Sequence, residues 1–306
     1  MSSSKELKKR YSTDYPDKTE FASNARLLQS IWRAQKGYAF AKYGNLLDSK
    51  MAKEHGLNFL TRGIFELVKN EVTNKSKVGK VIQEPRIWDN LLSSQPLAFN
   101  LFGELKINLT VATQVFQDLF PDRMIKTLKA IDFEFSPGRG SSKYTGDNSA
   151  FDVFIEYENR FSEKCFFGIE VKYAEDLNDK PSSHKIYYEE ISQNSGVFDL
   201  NSLEQLKEKP IQQIWRDHLL ALSLFIKNKD YKFGDFIFLF PVANISCKSA
   251  IEQYRATFSE SKENYFRELH LEKLVSMIKK YDQRNWIKEF EDRYLNFDKI
   301  LTLSNL

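Results

Sequence analysis

Cysteine is scarce in this sequence of 306 residues, which contains only Cys165 and Cys247, far apart and in unrelated contexts. Such a pair provides neither a disulfide framework nor a zinc knuckle. The four histidines, likewise, do not have the spacing of zinc ligands. Because proteins of reducing compartments rarely form disulfides, the sequence predicts a cytoplasmic protein.

Long apolar runs are also missing. The longest, Phe236 to Phe240 with its flanks, is far too short to span a membrane, and residues 1–18 are too polar for a secretory signal. No G-x-x-x-x-G-K-[ST] motif occurs, so we expect no nucleotide cofactor. The formal net charge of +3 is too small to indicate nucleic acid by itself, and any basic binding surface has to be local.

The composition is that of a soluble globular protein, with 42% hydrophobic and 28% charged residues. Helical spacing of apolar residues predicts a helix capped by Asn24 and a second helix over about residues 57–72. We interpret residues 1–94 as a helical N-terminal region packed on the core. Residues 95–306 then form the main domain, which ends in closing helices.

The main domain alternates between helical and strand patterns. A short helix follows residue 95, Asn108 caps the next helix, and Pro210 suits the first position of a third. The predicted strands are residues 124–135, 151–157, 164–173 and 235–240, and Ser246 is the expected cap of the helix after them. The predicted core is therefore α/β, in the order α-β-β-β-α-β, with a mixed central sheet and additional helices at both ends.

Charged residues interrupt two of these strands. Asp152 lies in one apolar run, and Glu170-Val171-Lys172 lies in the next. If the two runs form a hairpin, Glu170 and Lys172 project from one face because side chains alternate, and Asp152 can approach them from the neighbouring strand. Two carboxylates on adjacent strands form the incomplete oxygen cage that Mg²⁺ prefers, and a nearby lysine can reach water or phosphate.

An acid, an apolar residue and a lysine also occur by chance at the ends of exposed strands. The context favours a site, because acids are rarely buried without a partner or a metal. Asp147 is a rival to Asp152, but it lies in the preceding loop, whereas Asp152 lies within the strand.

Three longer blocks carry a family resemblance: SPGRGSSKYTGDNSAFDVFIEY, GIEVKYAEDL and QQIWRDHLLAL. Together with the order of elements, they resemble the PD-(D/E)XK nuclease superfamily, and more narrowly a bacterial family of restriction-endonuclease-type proteins. The similarity extends through ARLLQSIWRAQKG, GLNFLT and FLFPVAN, and so covers most of the chain. The resemblance implies a restriction-endonuclease-like fold, with residues 95–306 as the nuclease-like domain.

Residue by residue, the resemblance implies that Asp152 and Glu170 bind the metal, with the Val171 carbonyl as an extra ligand, and that Lys172 positions or activates water. Phe151 stands where a literal Pro-Asp motif has proline. Glu104 matches the helical acid that some members use as a further ligand, although an exposed helix acid beside Lys106 is an equal alternative.

The helix after the third strand resembles the glutamine motif of many members. Gln212 or Gln213 would contact the catalytic site or the nucleic acid, and Arg216 on the same face would contact nucleic acid. We assign Gln213 to the catalytic set and Gln212 to nucleic-acid binding. Arg216 replaces the tyrosine that other members carry.

The Gly- and Ser-rich loop before Asp152 has two interpretations. Arg139, Lys143, Tyr144 and Thr145 could contact phosphates while the glycines allow close backbone approach. Alternatively, the loop only connects two strands. We favour phosphate contact, because loops of this length often carry function.

These observations predict a Mg²⁺-dependent endonuclease acting on DNA, with Mn²⁺ as a substitute, in restriction or anti-phage defence. The alternatives are a nucleic-acid-binding module that keeps the fold without cleaving, and an RNA-specific nuclease. Because cutting both strands commonly needs two active sites, we also expect a homodimer.

Overall fold

The protein was analysed as a computed structural model that describes residues 4–76, 79–178, 181–260 and 263–304. The chain divides into two compact units, one formed by Met1–Ile107 with Val275–Leu306 and the other by Asn108–Leu274. The domain boundary predicted between residues 94 and 95 stays a prediction. Among the described residues, no helix is both long and apolar enough to cross a membrane.

Helices and strands follow one another through both units. The helices in the described part of the chain are α1 (Ser4–Arg10), α2 (Glu20–Gln35), α3 (Ser49–His55), α4 (Arg62–Asn74), α5 (Arg86–Asp89), α6 (Ser94–Ile107), α7 (Leu109–Leu119), α8 (Ile186–Ser195), α9 (Leu203–Leu206), α10 (Gln212–Lys227), α11 (Ile245–Arg255), α12 (Leu271–Tyr281), α13 (Asn285–Tyr294) and α14 (Asp298–Ser304). Short 3₁₀ turns cover Pro121–Arg123 and Leu200–Ser202. The strands are β1 (Ile125–Phe135), β2 (Phe151–Asn159), β3 (Lys164–Val171), β4 (Tyr231–Phe240) and β5 (Phe266–His270).

The first unit is helical and is organised around a buried arginine on α13. Arg293 is fully buried, donates to Gln29 Oε1 at 3.0 Å and contacts Asn58 through both of its terminal nitrogens. Its guanidinium also lies over the rings of Trp32 and Tyr294, at 4.2 and 4.5 Å. These contacts satisfy a buried cation by hydrogen bonds and aromatic faces.

Two helix starts in the first unit differ from the sequence prediction. Thr19, and not Asn24, caps α2 by accepting a hydrogen bond from Ala22 N. The second helix begins at Arg62, where Thr61 accepts from Ile64 N. In both cases a threonine in extended backbone satisfies an otherwise unpaired amide, and the apolar stripe alone does not show which polar residue does so.

The second unit contains a five-stranded sheet in the order β1-β2-β3-β4-β5. The pairs β1–β2 and β2–β3 are antiparallel, and the pairs β3–β4 and β4–β5 are parallel. The structure confirms the predicted α/β core with a mixed sheet, in which three antiparallel strands are followed by a helix and a parallel strand.

Helices cover both faces of this sheet. On one face, Trp215 and Leu219 of α10 belong to the same buried cluster as Phe154, Phe166 and Phe238. On the other face, the rings of Phe116 on α7 and of Phe120 after it lie 5.7 and 4.9 Å from the ring of Phe167. Because side chains alternate along a strand, Glu170 points to the same face as Phe166, which is the face that α10 covers.

Several boundaries around the core were predicted wrongly. β4 begins at Tyr231, earlier than Asp235, because its first residues are less apolar than the buried run. Pro210 does not occupy the first helical position, since α10 begins at Gln212. Asn244 caps α11 in place of Ser246. The polar segment 175–209 contains α8 and α9, whose few apolar residues give a weak periodic signal.

Candidate active site

The start of β2 and the end of β3 lie side by side in the antiparallel pair and bring the predicted acids together. Val153 pairs with Ile169, so Asp152 and Glu170 lie one step further along the two antiparallel strands and face each other. Asp152 Oδ2 accepts a hydrogen bond from Val171 N at 2.8 Å. The acid of one strand is therefore fixed by the backbone of the next.

Lys172 completes this group, which we call the acid–lysine site (Asp152, Glu170 and Lys172). Its ammonium lies 2.7 Å from Glu170 Oε1, and each of these two side chains is less than 10% exposed. Lys172 N also donates to Leu239 O at 2.8 Å, which continues the β3–β4 hydrogen bonding past the end of the strand. The lysine is thus held by its backbone and by its charge.

The two neighbouring glutamines of α10 have different partners. Gln213 Nε2 donates to Glu170 Oε1 at 3.1 Å, so Gln213 contacts the acid–lysine site. Gln212 accepts from Ser182 N at 2.8 Å and donates to Ser182 O at 2.7 Å. Because both polar atoms of Gln212 are engaged with backbone, its side chain holds the segment around Ser182 against α10.

The electrostatics of the site are dominated by negative charge. Burial and the neighbouring charges of Glu170 and Glu134 raise the pKa of Asp152 well above its usual range. Burial alone would lower the pKa of Lys172, but the carboxylates of Glu170, Glu175 and Asp152 raise it above the usual lysine value. The lysine therefore carries its charge, and one cation faces several acids.

Asp217, one turn after Gln213 on α10, is a further acid near Glu170. It is 6% exposed, and its Oδ2 has no hydrogen-bond partner among the described residues. Burial and the charge of Glu170 raise the pKa of Asp217 well above its usual range. The acid–lysine site thus has a further carboxyl group beneath it that the sequence pattern did not single out.

The donor atoms at the site fit a magnesium-type ion. Asp152 Oδ1 and Glu170 Oε2 accept no hydrogen bond from the part of the chain that the structure describes, whereas the other oxygen of each acid does. Within that part, no group of three or more His, Cys, Asp or Glu side chains gathers as a metal cage. Two carboxylate oxygens and water are a ligand set that Mg²⁺ accepts and zinc sites rarely use.

Glu134 is a further acid beside the site that the sequence argument passed over. It lies on β1 between Phe133 and Phe135, whose partners on β2 are Val153 and Phe151, so it faces Asp152. Its φ of 50° is unusual for a residue with a side chain. The alternation of polar residues on β1 could have identified Glu134, since Glu134, Asp152 and Glu170 form one row across three strands.

The turn that follows Lys172 is held by Asn244, the residue that caps α11. Glu175 Oε2 accepts from Tyr173 N at 2.7 Å, and Asn244 Nδ2 donates to the carbonyls of both Tyr173 and Glu175 at 3.0 Å. Asn244 Oδ1 accepts from Cys247 N, as expected of a helix cap. One buried amide therefore both caps α11 and fixes the turn that keeps Glu175 near Lys172.

The Gly- and Ser-rich loop is anchored by Asp147. The Asp147 carboxylate accepts from Tyr188 Oη at 2.5 Å and from Arg216 Nε at 3.1 Å. Arg216 also donates to the hydroxyls of Ser149 and Ser182. Burial raises the pKa of Asp147, but hydrogen bonds from Tyr188, Ser149 N and Thr145, together with the charge of Arg216, bring it below its usual value. Asp147 thus fastens the loop to α8 and α10.

The remaining predicted loop residues differ in accessibility. Arg139 donates to Asn148 O at 2.5 Å and lies 3.6 Å from Glu134, so it is held within the loop. Tyr144 is partly buried against the core, and Lys143 is exposed with its ammonium 5.4 Å from the Tyr144 ring. Of these three side chains, Lys143 is the most available to a ligand.

Glu104, the predicted helical ligand, lies on α6 in the first unit. Its carboxylate accepts from Thr61 Oγ1 at 2.6 Å and from Arg284 Nη1 at 2.8 Å. The exposed-acid alternative is wrong, since Glu104 is 5% exposed. Its role as a metal ligand stays a prediction.

A mixed sheet between helices, with two acids and a lysine at one strand edge, has the arrangement of restriction-endonuclease-like nucleases. A family model described as the PD-(D/E)XK nuclease superfamily matches residues 16–296, and the chain belongs to this superfamily. Comparisons with curated proteins and with solved structures each found no match. Membership implies a hydrolase that acts on nucleic acid, and nucleases of this superfamily generally use divalent metal ions.

Proposed function

We propose that the protein is a Mg²⁺-dependent endonuclease that hydrolyses DNA phosphodiester bonds in bacterial restriction or anti-phage defence. The observation that carries the enzymatic part is the acid–lysine site, in which two acids each keep one free oxygen beside a charged lysine. The defence role is supported by the sequence resemblance to restriction-endonuclease-type proteins.

Each residue of the site has a separate task in this proposal. Asp152 Oδ1 and Glu170 Oε2 would hold the metal ion. A bound divalent ion lowers the pKa of an attacking water and stabilises the leaving oxygen. Lys172 keeps its proton on Nζ, so it attracts the scissile phosphate and orients water by donating hydrogen bonds. Gln213 orients Glu170 through its contact at 3.1 Å.

The test is cleavage of supercoiled plasmid DNA with Mg²⁺, with Mn²⁺ and with EDTA. We expect cleavage with either metal, none with EDTA, and a loss of roughly 10³-fold in Asp152→Asn, Glu170→Gln and Lys172→Met proteins, by analogy with removal of a single transition-state contact in other enzymes. Undiminished activity in all three variants would overturn the site assignment. Parallel digestion of RNA tests the DNA preference.

Metal binding can be measured without turnover. With Mg²⁺ at about 100 times its Kd, the wild-type protein should gain about 2.7 kcal/mol in free energy of unfolding. Glu170→Gln should gain almost nothing. An equal gain in both proteins would show that Glu170 is not a ligand of the metal ion.

The proposal includes a cytoplasmic homodimer, because cutting both strands of a duplex commonly needs two active sites. Sedimentation of the protein with and without a short duplex tests this. A 1:1 complex of one chain per duplex would contradict it.

A further inference from the structure

A pocket of about 240 Å³ lies at the start of α10, directly beside the acid–lysine site. Gln213 lines this pocket and also donates to Glu170, so the pocket and the site share a wall. Its other polar lining residues are Ser182, Lys209, Gln212 and Arg216, and the rest are a leucine and two prolines. Its volume is below the roughly 300–1,000 Å³ of a typical drug-sized ligand pocket.

The charge of the described lining is positive. Among the residues that the structure describes, two cationic side chains and no carboxylate line the pocket. Arg216 is partly neutralised by Asp147, with which it forms an ion pair at 3.1 Å. Lys209 is exposed, and in the described part of the chain it has neither an ion-pair partner nor a hydrogen-bond partner. Lys209 is thus the uncompensated cation of the described lining.

The same lining is unsuited to reading a nucleobase. None of the described residues that line the pocket is aromatic, so among them a base has no ring to stack on. Gln212, whose amide could pair with a base edge, uses both polar atoms on the Ser182 backbone. Arg216 is similarly engaged with Ser149, Ser182 and Asp147. What remains is a small, positively charged pocket.

We propose that this pocket binds a backbone phosphate of the nucleic acid next to the scissile one, with Lys209 as its principal contact. The inference rests on the proposed nuclease function, since it assigns a subsite to that substrate. Lys209 would fix the position of the strand along the acid–lysine site without reading its sequence, because phosphate contacts position the nucleic acid and base contacts specify it.

The experiment compares two lysines at opposite ends of α10. Lys229 lies just past the C-terminal end, is exposed, and like Lys209 has no ion-pair partner in the described part of the chain. Lys209→Gln and Lys229→Gln therefore remove the same charge from the same kind of position. Binding of fluorescent duplexes of unrelated sequence is measured in EDTA at several salt concentrations, and KM and kcat are measured with Mg²⁺.

For Lys209→Gln we expect the slope of log K against log salt to become shallower by roughly 0.9, the contribution of one phosphate contact in B-form DNA. Affinity should fall by a similar factor on every duplex, with a higher KM and an unchanged kcat. Lys209→Arg should restore the slope, and Lys229→Gln should match wild type.

Equal slopes for the two Gln variants would overturn the inference. A sequence-dependent loss of affinity with an unchanged slope would also overturn it, in favour of base contact. A wild-type protein that neither binds nor cleaves nucleic acid would refute the proposed function itself. Failure of the inference about Lys209 can therefore be distinguished from failure of the proposed function.

Discussion

Two buried charge clusters lie on opposite faces of the central sheet, and they differ in charge balance. On the α7 face, Asp235 is fully buried and accepts hydrogen bonds from Arg123 at 2.6 and 2.7 Å and from Arg267 at 2.9 Å. We call Asp235, Arg123 and Arg267 the Asp235 cluster. Its two arginines also pair with the half-exposed acids Glu263 and Asp122, so its charges are nearly balanced. On the α10 face, the acid–lysine site has one cation for two acids, with additional carboxyls nearby.

The difference in charge balance indicates that the Asp235 cluster serves stability alone. A buried acid with two arginines has its charge and its hydrogen bonds satisfied, and needs no further ligand. The acid–lysine site leaves one oxygen of each acid open and raises the pKa of Asp152 through burial and neighbouring charge. Repulsion between neighbouring acids is the expected cost of a preformed metal site. A bound divalent cation would relieve this repulsion.

The largest effect should come from neutralising one acid in each cluster. Asp235→Asn leaves two arginines around a neutral side chain and should lower the free energy of unfolding by about 3–5 kcal/mol. Glu170→Gln removes the partner of the buried Lys172 but also relieves the repulsion with Asp152, and other acids remain near the lysine, so its metal-free stability should fall by clearly less than that of Asp235→Asn. Urea unfolding in EDTA measures both, and equal losses would contradict the comparison.

A smaller effect should separate two asparagine caps of the second unit. Asn108 and Asn244 each cap a helix, but only Asn244 also holds the turn after Lys172. Asn108→Ala should lose about 1 kcal/mol of stability, and Asn244→Ala should lose more, because it also removes the hydrogen bonds to the carbonyls of Tyr173 and Glu175. Only Asn244→Ala should lower kcat, by up to about 10²-fold, because it lets the lysine shift.

The control for that experiment is KM, which should stay close to wild type in both variants. If Asn108→Ala lost as much kcat as Asn244→Ala, general destabilisation would explain the loss and the positioning role of Asn244 would be wrong.

A third effect is the smallest at neutral pH and grows on acidification, and it comes from a buried histidine outside both clusters. His218 on α10 is fully buried beside Tyr254 Oη, and burial lowers its pKa from 6.5 to about 3. The unfolded chain therefore binds a proton that the folded protein excludes between these pH values. Stability should fall on acidification from about pH 6.5 toward 3, by at most about 1.4 kcal/mol per pH unit.

Urea unfolding of the wild-type and His218→Gln proteins across this range measures that contribution. The variant should have a slope that is less steep by this amount. Identical slopes would mean that His218 is protonated in the folded protein or that it titrates alike in both states.

The acid–lysine site was predictable because its signal is local. Asp152 and Glu170 interrupt apolar strand patterns, and the period of two places Lys172 on the same face as Glu170. The order of elements followed from the same periodicities, and the five-stranded mixed sheet agrees with it.

The supporting contacts were not predictable, because they join residues distant in sequence. Arg216 was expected to contact nucleic acid, and the structure adds an ion pair with Asp147, 69 positions away. Asn244 contacts the turn at Tyr173 across 71 positions. The cap formed by Asn244 and the position of Arg216 on its helix can be inferred from neighbours in the chain. The contacts of these side chains with distant residues depend on packing.

The place of α10 in the chain has a consequence for synthesis. This helix lies in the connection between β3 and its parallel neighbour β4, a pairing that cannot be closed by a tight turn. Asp152 and Glu170 therefore leave the ribosome well before the helix that carries Gln213 and the strand that supports Lys172. A growing chain therefore holds the two acids for a time without the helix and the strand that complete their surroundings.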